Sequence, residues 1–171
     1  MSKRHVAFLR GINVGRAKRV GMADLRALVE GLGYEEVRTV LNSGNIVFSV
    51  PGRRKGDPAS RIEKGLASQL GVPARVVVLT AKEVATAVEE NPLDDLADNP
   101  SRLLLMVLAD QKARAQLKPL LTKRWNPEAI ALGKKVVYLW CPHGIIDSPM
   151  MAEVNRAIGD AGTARNLATM M

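Results

Sequence analysis

Cysteine is nearly absent from this chain: Cys141 is alone among 171 residues, which also hold only two histidines. One cysteine excludes an intrachain disulfide, and one Cys with two His cannot complete a zinc site made of those residues alone. Aromatic residues make up 4% of the chain. Sheets that read RNA stack bases on paired strand aromatics, whereas Phe8, Phe48, Tyr138 and Trp140 fall in apolar strand patterns that read as core. Long hydrophobic runs are missing as well. The longest, Leu103–Ala109, is far below the roughly 20 residues that a membrane helix takes, so no membrane partner is expected. The opening Met-Ser-Lys-Arg-His runs straight into a strand pattern, with no apolar stretch ending in a small-residue cleavage site. A cytoplasmic location is the expectation.

What is present is an ordinary globular composition, 47% hydrophobic and 25% charged, with its charge unevenly placed. Residues 1–80 carry 14 Lys/Arg against 6 Asp/Glu, while residues 81–171 carry 11 of each. The whole net charge of +8 therefore lies in the first half. Such asymmetry favours anionic partners: phosphorylated ligands, nucleic acid or an acidic protein face. The plainer reading is a solubilising surface.

Apolar periodicity divides the chain into elements. His5–Gly11 is a strand closed by glycine, and Met22–Leu32 spaces Met22, Leu25, Leu28, Val29 and Leu32 along one helical face. Glu36–Leu41 and Ile46–Val50 are strands on either side of Asn42-Ser43-Gly44-Asn45, a hairpin signal. A basic loop, Pro51–Asp57, leads to a helix from Pro58 with Ile62, Leu66 and Leu70 four apart, and Arg75–Leu79 is a strand. Strand-helix-strand-strand-helix-strand is the order of a ferredoxin-like split βαβ sandwich. Thr80 with Glu83 predicts a capped helix to Glu90. Asn91–Pro100, proline-bracketed and holding Asp94, Asp95 and Asp98, reads as a solvated linker. Beyond it come a strand at Leu103–Leu108, a helix from Asp110 to Leu121, a hairpin of Ala129–Leu132 and Val136–Trp140, and a helix over Pro149–Ile158. They repeat the order without its sixth element. The expectation is an α+β protein of two ferredoxin-like subdomains with antiparallel sheets, at 1–90 and 102–171, joined by a linker over 91–101.

The motifs bear this out from another direction. Leu9-Arg10-Gly11-Ile12-Asn13-Val14-Gly15, then Met22 and Asp24-Leu25-Arg26, then Arg38-Thr39 and Ser43-Gly44-Asn45-Ile46-Val47-Phe48 make an unusual opening. Together with Asn91-Pro92, Tyr138-Leu139, Pro142, Gly144-Ile145 and Thr163-Ala-Arg165-Asn166, they resemble the bacterial domain of unknown function family 1697. Leu167 departs from that pattern, where members often have Trp. The resemblance implies a pair of ferredoxin-like subdomains. It implies no activity, so no catalytic residue is carried over.

In such a plait the first two strands run parallel. The end of strand one and the turn after strand two then share one edge, beside the start of the first helix. Gly11 and Gly15 let backbone N–H groups approach a ligand closely, and a helix N-terminus favours negative charge. Arg10, Arg16, Lys18 and Arg19 add full charges, while Asn13, Ser43, Gly44 and Asn45 add neutral hydrogen-bonding groups. Arg165 and Asn166 complete this pocket if the tail folds back onto it; otherwise they cap a helix. The expected ligand is a small anion bearing phosphate or carboxylate, held without metal or cofactor. Gly11-x-x-x-Gly15 is neither a P-loop nor a dinucleotide fingerprint, and turn geometry alone would also account for these glycines and asparagines.

Two other classes stay open, and so does whether the chain is an enzyme. One is a basic nucleic-acid- or protein-interaction module, with weak, salt-sensitive nucleic-acid binding spread over Arg16–Arg19 and Arg53–Lys55. The other is a transferase-like enzyme on a phosphorylated metabolite, whose base would have to be Asp24, Glu35 or Glu36. Cys141 and His143 read as a strand end and a turn rather than a nucleophile and its base. Met150, Met151, Met170 and Met171 read as core or chain-end residues.

Overall fold

A computed structural model of the chain describes residues 3–10, 19–41, 44–52, 56–96 and 98–170. Contacts divide it into two compact units, Met1–Lys82 and Glu83–Met171. The first holds β1 (Lys3–Leu9), α1 (Met22–Gly31), β2 (Glu35–Val40), β3 (Asn45–Val50), α2 (Pro58–Gln69) and β4 (Val76–Thr80). Its sheet has the order β2-β3-β1-β4 with every neighbouring pair antiparallel, which is the ferredoxin-like order. Alternation along the strands sends Ala7, Leu9, Ile46, Phe48 and Val76 into one core with Leu25, Leu28 and Val29 of α1 and Ile62 and Leu66 of α2. Gly65 is what lets the two helices meet, since a Cβ there would lie 2.9 Å from Leu28 Cδ1.

The second unit repeats the plan with β5 (Leu103–Leu108), α4 (Gln111–Leu117), β6 (Ala129–Leu132), β7 (Val136–Trp140), α5 (Pro149–Ile158), β8 (Gly162–Asn166) and the short α6 (Leu167–Met170). Its order is β6-β7-β5-β8, again antiparallel throughout. The sixth element is therefore present. β8 escapes an apolar-pattern reading because Gly162-Thr-Ala-Arg-Asn166 has no large apolar residue; its ladder with β5, Leu104↔Asn166 to Leu108↔Gly162, makes it a strand. Gly162 is required there, since a Cβ would sit 2.6 Å from Met106 Sδ and 2.8 Å from Ile158 Cδ1.

The C-terminal bound of α4 differs from expectation. The α4 helix ends at Leu117 and continues as a 3-10 turn over Lys118–Thr122. Pro119 has no N–H to donate and would clash with the preceding turn, so the α-helix cannot reach Leu121. The division between the units falls at Lys82/Glu83. The helix α3 (Ala81–Glu89) is tied to the second sheet: the Tyr138 hydroxyl donates to the Ala87 carbonyl at 2.6 Å, and Lys135 pairs with Glu83 at 3.6 Å. The described residues between Asn91 and Pro100 are turn and coil and mostly exposed.

The second core joins Leu104, Met106, Val137 and Leu139 to Leu117 of α4 and to Met150, Met151 and Val154 of α5. Phe8, Phe48, Tyr138 and Trp140 are all buried, so none of them offers a face for base stacking. No helix among the described residues is long and apolar enough to cross a membrane.

Candidate functional site

The rim of the first sheet where β1 ends is built by two backbone hydrogen bonds. Leu9 N–H donates to the Gly44 carbonyl and Arg10 N–H to the Arg75 carbonyl, each at 2.9 Å. The first bond draws the β2–β3 turn against the end of β1. The second extends the β1–β4 ladder past Leu9↔Val76 and sets two arginines at opposed positions. Arg10 is half-buried with its Nε shielded from solvent, while Arg19 and Arg75 are exposed.

Leu41 and Gly44 both have positive φ, 61° and 88°. Asn45 is buried, and its Nδ2 donates to the Val40 carbonyl at 2.8 Å, so this amide closes the hairpin. At Gly44 the left-handed conformation explains the residue type. For Asn45 and Gly44, turn geometry thus accounts for much of what the sequence motif contains.

The helix start is less open to an anion than its position implies. Val20 is buried in the core, Gly21 is an extended N-cap with no side-chain cap, and Asp24 lies in the first turn. Asp24 Oδ2 is 3.2 Å from where a Cβ on Gly21 would be. The positive end of α1 is therefore faced by its own carboxylate, and Asp24 is explained as a helix-start residue. Glu63 of α2 is a second carboxylate at this rim, its Oε1 accepting from Val76 N–H at 2.7 Å.

Glu35 and Glu36 stand elsewhere. They begin β2, opposite Ser49 at the far end of the hairpin, where Glu36 accepts from Ser49 Oγ at 3.1 Å and lies 3.6 Å from Arg4. Neither can serve as a base for chemistry beside Gly44. Gly11, Asn13, Gly15, Arg16, Lys18 and Ser43, with Arg53–Lys55, lie outside the described residues. Arg165 and Asn166 belong to β8 of the second unit. Asn166 Oδ1 accepts from both the N–H and the Oγ1 of Thr169 at 2.9 Å, capping α6. Arg165 Nη1 donates to the Ala164 carbonyl, and burial pulls its pKa down to about 10. Arg75 is the rim residue that pattern reading passed over. Topology held the signal, because the fourth strand of such a plait starts where the first one ends.

Cys141 is buried, and burial pushes its thiol pKa up to about 11, with the Glu128 carboxylate adding to the rise and a hydrogen bond with Ser148 opposing it. A nucleophile needs the thiolate, so this cysteine is a core residue. Ser148 is committed to structure: it donates to Glu128 and accepts from Met151 N–H as the cap of α5. Among the described residues no group of three or more His, Cys, Asp or Glu is arranged to hold a metal ion.

Residues 2–138 match the model of a family described as a protein of unknown function, DUF1697. No curated protein matches the chain. Among solved structures, the conserved bacterial protein SP0830 from Streptococcus pneumoniae is similar, with a TM-score of 0.81 and 21% identity, covering 99% of this chain and 95% of that one. At that identity the likeness concerns the fold.

Proposed function

The chain belongs to the DUF1697 family of proteins of unknown function, and on that premise we propose that it binds a small phosphate- or carboxylate-bearing anion at the rim where β1 ends. The observation that carries the reading is the Arg10 N–H to Arg75 carbonyl bond, which brings two guanidinium-bearing residues side by side. Guanidinium suits oxyanions because its planar fork donates two parallel hydrogen bonds. The ligand is held chiefly by these side chains, since Asp24 occupies the helix start. The basic excess of residues 1–80 supports a steering field toward the rim in a cytoplasmic protein, and weak, salt-sensitive contact with nucleic acid follows from the same charge.

Titration of inorganic phosphate into the full chain, watched by amide NMR, tests the reading. The expected result is saturable shifts at Arg10, Gly44, Asn45 and Arg75 and across residues 11–18. Silence at all of these positions would end it.

A further inference from the structure

The second unit carries its own cationic cleft, at the corresponding rim. Here Leu108 N–H donates to the Lys135 carbonyl at 3.3 Å and Ala109 N–H to the Ala161 carbonyl at 2.7 Å. These bonds draw the β6–β7 turn and the start of β8 against the end of β5. A concave space of about 130 Å³ opens there, lined by Ala109, Asp110, Arg114, Lys134 and Lys135 among others. The cleft is built, not incidental. Arg114 reaches from α4 to the turn and donates through Nη1 to the carbonyls of both Gly133 and Lys134. Gly133 in turn closes on Val136 at 2.8 Å, and a Cβ on it would lie 2.9 Å from Tyr138 Cε2. Arg114 and the two lysines thus line one small volume.

Charge and size together define what fits. Arg114, Lys134 and Lys135 share the cleft with Asp110, whose Oδ1 is engaged with Ala113 N–H, and Lys135 lies 3.6 Å from Glu83. The helix end contributes nothing, since Asp110 already caps it. Three cations exceed the two carboxylates, and Lys134 makes no ion pair among the described residues. Pockets for whole drug-sized ligands run to roughly 300–1,000 Å³; this one admits a single tetrahedral oxyanion. We propose that the cleft binds the phosphoryl end of a small phosphomonoester, as a second anion site independent of the one in the first unit.

The test uses the full chain and inorganic phosphate as the probe, with amide shifts followed at Ala109, Asp110, Gln111, Lys134 and Lys135. Saturable shifts at these positions are expected, with affinity read from them falling about tenfold in Lys134→Glu and less in Lys134→Gln, as reversal and loss of one nearby charge require. Lys134 is exposed, so both variants keep the fold, which unchanged shifts of the buried β5 amides verify. Absence of shifts here, equal affinity in Lys134→Glu, or a response to a single-stranded oligonucleotide without one to phosphate would each overturn the proposal. The separate behaviour of the Arg10 and Gly44 amides keeps this outcome distinct from the fate of the first site.

Discussion

The two rims share a scaffold and differ in where they keep their charge. In each, the last residue of the central strand donates to the turn between the next two strands, and the following residue donates to the residue just before the last strand. In the first unit the cations sit on that ladder, at Arg10 and Arg75; in the second they sit on the turn and on α4, at Lys134, Lys135 and Arg114. The carboxylates differ too. Asp24 faces the start of α1 without forming a cap hydrogen bond to it from the N-cap position, whereas Asp110 is itself the N-cap of α4 and bonds Ala113 N–H. Topology supplies the converging backbone, and each unit adds its own charges to it. The rim geometry is thus a property of the plait, and anion affinity is a property of particular side chains.

The comparison breaks most visibly through the cores. Leu9→Ala and Leu139→Ala each remove a fully buried side chain from the central packing of their own unit. Each is expected to cost about 2–5 kcal/mol by chemical denaturation. A cost below ~1 kcal/mol at either position would show that its sheet does not carry the packing described.

Asp24 sharpens the contrast between the helix starts. Asp24→Asn removes a carboxylate from the first rim, so phosphate affinity there is expected to rise a few-fold, at a stability cost of about 0.3–1 kcal/mol from the lost helix-end charge. An unchanged or weaker affinity would mean that Asp24 does not face the ligand.

The last contrast concerns Cys141, and it shows only in alkali. Its folded pKa, about 11, lies above the ordinary value of 9.0. For an acid raised in this way the added stability is present below the unfolded pKa and is lost as pH climbs from about 9 through 11. Denaturation midpoints of the native chain are therefore expected to fall over that window more than those of Cys141→Ala. Native thiol alkylation near neutral pH should also lag far behind that of the unfolded chain. Equal alkylation rates would place a reactive thiolate where the structure puts a core thiol.

Most of the fold could be read from apolar spacing, because α1, α2, α5 and the two hairpins carry large side chains at regular intervals. β8 could not, since its identity comes from the β5 ladder and from the room that Gly162 leaves for Met106. The Lys82/Glu83 division was hidden for a similar reason: the proline-bracketed stretch looks like a joint, but the Tyr138–Ala87 bond that anchors α3 links residues far apart in sequence. Of the site, Arg10, Gly44 and Asn45 were visible in one motif. Arg75 is some 65 positions away from Arg10 and becomes its neighbour only through the β1–β4 ladder.

Whether those two arginines hold an anion together is decided by the phosphate affinity of Arg75→Ala, read from the Gly44 amide at low salt in the full chain. Loss of one charge-assisted contact predicts about tenfold weaker binding with the shifts of the buried sheet amides unchanged. Affinity equal to that of the native chain would contradict the account.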